Sequence, residues 1–186
     1  MAQLSSVVKE TPSARWNLLL ADNMHVVELV HGTISGKRVI TVNGKEIYRK
    51  NWMIALVGFQ EFKIGEKKII LSIEPNGMNF EYTLYVNGKP LDKFVQSMKK
   101  SLIVWTPELG KVKHRVTLDK ITLEIYVDGI LLDVESEFSD EGTEVYFSIG
   151  DEPVLLKTYS SGVSRKGLIY ELFVGEDGIS IPIQHE

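Results

Sequence analysis

Three short tracts limit what this chain can fold into: Ile40-Thr41-Val42-Asn43-Gly44, Tyr85-Val86-Asn87-Gly88 and Tyr126-Val127-Asp128-Gly129. Each ends an apolar, β-branched run on Asn-Gly or Asp-Gly. Both central residues of a type I′ hairpin turn need positive φ, which Gly, Asn and Asp tolerate best, so each tract predicts a tight antiparallel hairpin. Asn43, Gly44, Asn87, Gly88, Asp128 and Gly129 are therefore read as structural turn residues. Between them, Phe80, Tyr82, Leu84 and Val86 alternate with Asn79, Glu81, Thr83 and Tyr85, the period of two of a strand with one buried face. The expectation is an all-β chain.

The chain also resembles itself. Trp16 and His25 recur as Trp105 and His114 at one shared displacement, and Ile40–Gly44 recurs as Ile125–Gly129. Phe62-Lys63-Ile64-Gly65 is matched by Phe147-Ser148-Ile149-Gly150, and Tyr82–Val86 by Tyr170–Val174, all in the same order. Such self-similarity predicts two similar antiparallel β-sandwich domains arising from an internal duplication. The expected boundaries are a flexible leader 1–13, an N-terminal domain 14–91, a linker 92–101 where DKFVQSMKKS breaks the alternation and admits a helical turn, and a C-terminal domain 102–186. One difference separates the copies: His31–Gly36 has only Asp119-Lys120 to match it, so that loop is a candidate binding element.

Charge narrows the partners. The net charge of −4 argues against nucleic acid, whose phosphates require a basic footprint. The halves differ, however: residues 1–95 carry 12 Lys+Arg against 9 Asp+Glu, and residues 96–186 carry 9 against 16. Complementary halves of this kind would suit domain packing or a head-to-tail homodimer. The chain has no cysteine, hence no disulfide, thiolate nucleophile or Cys-based zinc site. With no secretory signal pattern and no apolar run long enough to span a bilayer, the expectation is a cytoplasmic protein without membrane insertion.

No catalytic constellation emerges. The histidines, His25, His31, His114 and His185, show no metal-ligand spacing, and the paired His25 and His114 are read as structural. There is no G-x-S-x-G elbow, P-loop or G-x-G-x-x-G. Ser160-Ser161-Gly162 reads as a turn, and the acidic run that includes Glu135, Glu137, Asp140, Glu141 and Glu144 lacks calcium-loop spacing. No enzyme activity and no cofactor are expected. An enzyme would require His31, Ser35 and a carboxylate to converge on folding.

At His31–Trp52 and again at 137–166 the sequence resembles the Fas apoptotic inhibitory molecule family. The resemblance is carried by His31-Gly32-Thr33-Ile34-Ser35-Gly36-Lys37-Arg38-Val39, Val42-Asn43-Gly44-Lys45-Glu46, Arg49-Lys50-Asn51-Trp52-Met53 and Leu56-Val57-Gly58. In the second half it rests on Phe138, Asp140, Gly142-Thr143-Glu144, Phe147–Gly150, Ser160–Gly162 and Lys166-Gly167. It implies a two-domain cytosolic protein that antagonises death-receptor-induced apoptosis, is associated with neurite outgrowth, NF-κB signalling and protection against protein aggregation, and is not an enzyme. Its implied partners are death-receptor or neurotrophin signalling components and misfolded clients. The family's usual second-domain cysteines are absent here, and the leader before Trp16 is longer than in the short form.

The surface expected to serve this role is His31, Lys37, Arg38, Arg49, Lys50 and Trp52. The alternative is a small-ligand or glycan-binding β-sandwich module using the His31–Gly36 loop.

Overall fold

The computed structural model describes residues 10–134, 142–162 and 167–184, together with the main chain of 136–139. It is built almost wholly of antiparallel strands. By internal contacts the chain divides into two compact units, one of the described residues up to Leu20 together with Met24–Ser97, the other of Ala21–Asn23 and 98–186.

The first unit contains β1 (Ala14–Leu19), β2 (Met24–His31), β3 (Arg38–Val42) and β4 (Lys45–Lys50), paired in that order. A second sheet follows, of β5 (Gly58–Ile64), β6 (Lys67–Asn76), β7 (Asn79–Val86) and β8 (Lys89–Pro90). Its core is the alternation made solid: Leu18, Val27, Leu29 and Ile40 from the first sheet, and Ile69, Leu71, Ile73, Leu84 and Val86 from the second, are almost wholly buried. Burying a side chain of this size removes enough apolar surface to stabilise the fold by about 1.5–3 kcal/mol each. Two of the four edge strands are guarded. β4 reads KEIYRK and bulges at Ile47, since Ile40 pairs Tyr48 while Thr41 pairs Glu46, and β8 ends on a proline that offers no amide to a visiting strand.

Where the sequence marks a linker, the structure has an 11-residue helix, α1 (Leu91–Ser101). Phe94 and Met98, four residues apart and so on one face, are its buried pair. Asp92 lies in its first turn and Lys99 and Lys100 in its last, the arrangement the helix dipole favours.

In the second unit β9 (Leu102–Trp105) is followed by the small hairpin β10 (Glu108–Leu109) and β11 (Val112–Lys113), then β12 (Val116–Asp119), β13 (Ile125–Val127) and β14 (Ile130–Leu131). The second sheet of this unit is β15 (Ser136–Ser139), β16 (Gly142–Ile149), β17 (Glu152–Ser160), β18 (Leu168–Val174) and β19 (Ile179–Ile181), and β20 (Ile183–Gln184) returns to pair with β9. The sheet orders are β14-β13-β12-β9-β20 and β15-β16-β17-β18-β19. One hydrophobic cluster joins Trp105, Val116, Leu118 and Ile125 of the former to Val145, Leu156, Leu172 and Val174 of the latter.

The turns behave as their chemistry requires. Asn43 and Gly44 have φ of 51° and 76°, Asn87 and Gly88 of 48° and 79°, Asp128 and Gly129 of 50° and 83°. All three are locked by the same pair of bonds, the second by the Lys68 amide donating to Asn87 Oδ1 at 2.9 Å and the Asn87 amide donating to the Lys68 carbonyl, and in the first and third a histidine joins the lock. Asn43 Oδ1 accepts from the Val26 amide at 2.8 Å while the Asn43 amide donates to the Val26 carbonyl, and its Nδ2 lies 3.1 Å from His25 Nδ1. Asp128 Oδ1 accepts from the Arg115 amide at 2.7 Å, and Oδ2 lies 2.7 Å from His114 Nδ1. His25 and His114 each fasten a turn. The Arg115 amide, followed by His114, holds the Asp128 carboxyl below its ordinary range.

Among the described residues no helix is long and apolar enough to cross a membrane, and no group of His, Asp or Glu is placed to hold a metal ion.

Candidate interaction surface

The residues by which His31–Gly36 exceeds Asp119-Lys120 lengthen a ladder more than they add a loop. Leu29 pairs Ile40 just as Leu118 pairs Ile125, but beyond that rung β2 and β3 continue with Val30–Val39 and His31–Arg38. The added rung is also the site's centre. Arg38 pairs Lys50 on its other side, so His31, Arg38 and Lys50 share one line across three strands.

Two residues expected on the partner surface lie inside. His31 is 6% exposed and Arg38 2%. The physical reason is strand parity, since His31 is in phase with Val27 and Leu29, and Arg38 with Ile40. His31 Nδ1 lies 3.1 Å from the Tyr82 hydroxyl on β7, and its ring stands edge-on to Phe80 at 4.8 Å and Tyr82 at 5.7 Å. The Ser13 hydroxyl accepts from the His31 amide at 3.0 Å and donates to its carbonyl at 3.4 Å. Burial, seconded by the Arg38 charge, pulls the His31 pKa below its ordinary value, and the Leu56 carbonyl opposes weakly. Its Nε2 has no partner in hydrogen-bonding geometry. Burial likewise raises the Tyr82 hydroxyl, with Ser13 opposing.

Arg38 is a buried cation held by carbonyls. It donates to the Val57 oxygen at 2.8 Å and to the Ala55 oxygen at 3.3 Å, its Nε is unpartnered, and among the described residues no carboxylate pairs with it. Such a charge is tolerated only where its hydrogen bonds are made, so Arg38 pins the connector 51–57 between β4 and β5. The neighbouring loop pins it a second time. Met53 donates its amide to the Ser35 carbonyl at 2.9 Å, and Gly36, at φ 66°, lies so close that a β-carbon there would meet the Met53 oxygen at 2.3 Å.

The loop itself is closed on its own polar groups. Gly32 donates to Lys37, Gly36 to Gly32, and Lys37 to the Ser35 hydroxyl. His31 and Ser35 are thus engaged separately, His31 with Tyr82 and Ser35 with the loop, and no nucleophile–base pair forms from them.

The remaining expected surface residues are outside. Lys37 is half-buried and ion-paired with Glu10. Arg49 is exposed and grips Glu46, with Nε–Oε1 at 2.8 Å and Nη2–Oε2 at 2.6 Å, which lowers the Glu46 pKa and raises that of Arg49. Trp52 is 64% exposed. Sequence reasoning missed the other exposed apolar side chains of this region: Ile54 (85%) on the connector, Phe59 (69%) at the start of β5, and Ile34 (95%) on the loop to which Met53 is tied. Trp52 and Ile54 on the pinned connector and Ile34 on the loop tied to it are large apolar side chains left to solvent, the usual mark of an interaction site. Their signal in the sequence was the run Trp52-Met53-Ile54-Ala55-Leu56-Val57 with no period of two.

The acidic run of the second half divides. Glu144 is ion-paired with Lys157 at 2.8 Å and accepts from the Tyr146 hydroxyl at 2.5 Å, which hold its pKa down. Glu135, Asp140, Glu141 and the Glu137 side chain lie outside the described residues, as does His185.

The sequence profile described as "Fas apoptotic inhibitory molecule" matches residues 12–182. The chain is similar to Fas apoptotic inhibitory molecule 1 of Bos taurus, 40% identical over 172 residues that make up 91% of this chain and 85% of that protein. It is 39% identical to the Homo sapiens protein of the same name and 38% to that of Mus musculus, in each case over 91% of this chain and 95% of theirs.

Proposed function

The chain belongs to the Fas apoptotic inhibitory molecule family, and from that premise we propose that it is a non-enzymatic cytosolic regulator that opposes death-receptor-induced apoptosis by binding other proteins. In this reading it also shields aggregating clients, as an adaptor or chaperone-like protein, and its two units are β sandwiches descended from one duplicated ancestor. The matched histidine partners, His25 at Asn43 and His114 at Asp128, support the common ancestry.

One observation carries the binding role: Ile34, Trp52 and Ile54 are exposed on a loop and connector that Arg38 and Gly36 hold in place. An apolar surface on pinned main chain binds without first having to be ordered, which lowers the entropic cost of association.

The test is light scattering of an aggregating client with the full chain, with albumin as control, and with the double variant Trp52→Ser, Ile54→Ser. Suppression by the parent and its loss in the variant are expected, with thermal midpoints unchanged because both side chains are outside. Equal suppression by parent and variant would remove this surface from the function. In cells, the same variant is expected to lose protection against death-receptor-triggered caspase activity.

A further inference from the structure

On the second unit, one face of the sheet β16-β17-β18 is turned away from the core cluster. The register places Tyr146 opposite Leu155, Leu155 opposite Phe173, and Phe173 opposite Ser180, so the first three form a row across three strands. They are out of phase with Val145, Leu156 and Leu172, which fill the core. A groove of about 630 Å³ lies over this row and runs on past Pro153, Gly175 and Gly178.

Its walls and rim differ in chemistry. Neighbouring strands stand about 4.8 Å apart, so Tyr146 and Phe173 rise about 10 Å from one another with Leu155 between them. The gap admits one aliphatic stem. Along the adjacent row Glu144, Lys157 and Glu171 are in register, and Glu171 accepts from the Tyr159 hydroxyl. Lys157 is already ion-paired with Glu144. Glu171 and Glu176 line the groove beside it, leaving its rim negative.

We propose that this groove binds an extended peptide segment presenting a lysine or arginine. The stem of that side chain lies on Leu155 between Tyr146 and Phe173, its cation is taken by Glu171 and Glu176, and the flanking main chain runs over Gly175 and Gly178. Charge decides the class: a site with more carboxylates than cations repels phosphate and acidic segments, and a glycan would gain nothing from the excess charge. A groove of this volume far exceeds one side chain, which favours a peptide over a free amine. This site is separate from the surface at Trp52 and does not rest on it.

The test uses the full chain, isotopically labelled, titrated with a capped heptapeptide alternating valine with lysine, and with counterparts carrying norleucine or glutamate in place of lysine. Saturable amide shifts confined to 146–157 and 171–178 are expected for the lysine peptide alone, weakening as salt is raised. Glu171→Gln combined with Glu176→Gln is expected to weaken binding at least about fivefold, equivalent to about 1 kcal/mol. Phe173→Ser, on the outward face, is expected to do the same with the amide spectrum otherwise preserved. Trp52→Ser with Ile54→Ser is expected to leave this binding intact, so its failure and that of the first-unit reading are distinguishable. The proposal is overturned if the norleucine or glutamate peptide binds equally, if a glucan oligomer gives the same shifts, if the shifts map elsewhere, if the carboxamide variants bind like the parent, or if no shift appears at millimolar peptide.

Discussion

Replacing Gly36 by alanine tests whether the loop and the connector are one mechanical piece. Gly36 and Gly44 lie on the same unit with φ of 66° and 76°, so alanine at either suffers the same left-handed strain, about 1–2 kcal/mol. The gain from restricting the unfolded chain offsets about 0.4–1 kcal/mol of it in both. Only their surroundings differ. At Gly44 nothing lies within 4 Å of the added carbon, whereas at Gly36 the Met53 oxygen would be 2.3 Å away. The connector must retreat by about 1 Å to restore an ordinary contact, which breaks the Met53–Ser35 hydrogen bond, worth about 1 kcal/mol, and weakens the charge-assisted bonds of Arg38 to Val57 and Ala55. Gly36→Ala should therefore cost about 2–3 kcal/mol more than Gly44→Ala. With a urea dependence of about 2 kcal/mol per molar, the first-unit transition, followed by tryptophan fluorescence, should fall about 1 M further. Hydrogen exchange at the Met53 amide should accelerate in Gly36→Ala alone. Equal midpoints for the two variants, with the Met53 amide still protected, would refute the idea that Gly36 seats the connector.

Other outcomes follow from the same geometry. Burial and Arg38 lower the folded-state pKa of His31, so as pH falls through about 6.5 the unfolded chain takes up the proton first. The stabilisation from neutral His31 is thus complete above that pH and lost below it, and the fall in urea midpoint between about pH 7.5 and 5.5 should be smaller in His31→Gln; identical falls would exclude His31 as the cause. Asn43→Ala should lose the bond to the Val26 amide and strain the turn, for about 1–3 kcal/mol, whereas Asn43→Asp should cost less because Asp128 fills the equivalent place; urea titration of both checks the order. Trp105→Ala empties a fully buried site and should cost about 3–5 kcal/mol, read as a lower thermal midpoint of the second unit.

The hairpins were legible because their cause is local: in Asn43-Gly44 and its counterparts the short polar side chain of the first residue and the missing β-carbon of the second tolerate positive φ, and the strands on either side need only alternate. The rung His31–Arg38 was legible in part. The alternation that places Val27, Leu29 and Ile40 inside also carries His31 and Arg38 inside, but polarity outweighed parity, and an imidazole and a guanidinium were placed on the surface. Only the fold shows that Tyr82, Ala55 and Val57 supply them with partners. The stretch 92–101 was legible as a break in the alternation that admits a helical turn, and the spacing of Phe94 and Met98 is what extends that turn into the 11-residue helix. The row Tyr146-Leu155-Phe173 could not be found from the chain at all, because strand register joins three segments whose alignment no local residue specifies.

The lock on the first turn also governs how the molecule ages. Asparagine followed by glycine is the dipeptide most prone to deamidation, by attack of the glycine nitrogen on the side-chain amide. At Asn43 that amide is engaged by the Val26 amide and by His25, so the cyclic imide cannot close until the hairpin opens, and hydrolysis there becomes a clock for local opening. Its aspartate product would meet the arrangement that Asp128 already occupies in the second unit, whereas the isoaspartate product, with one more main-chain atom, would have no seat in either.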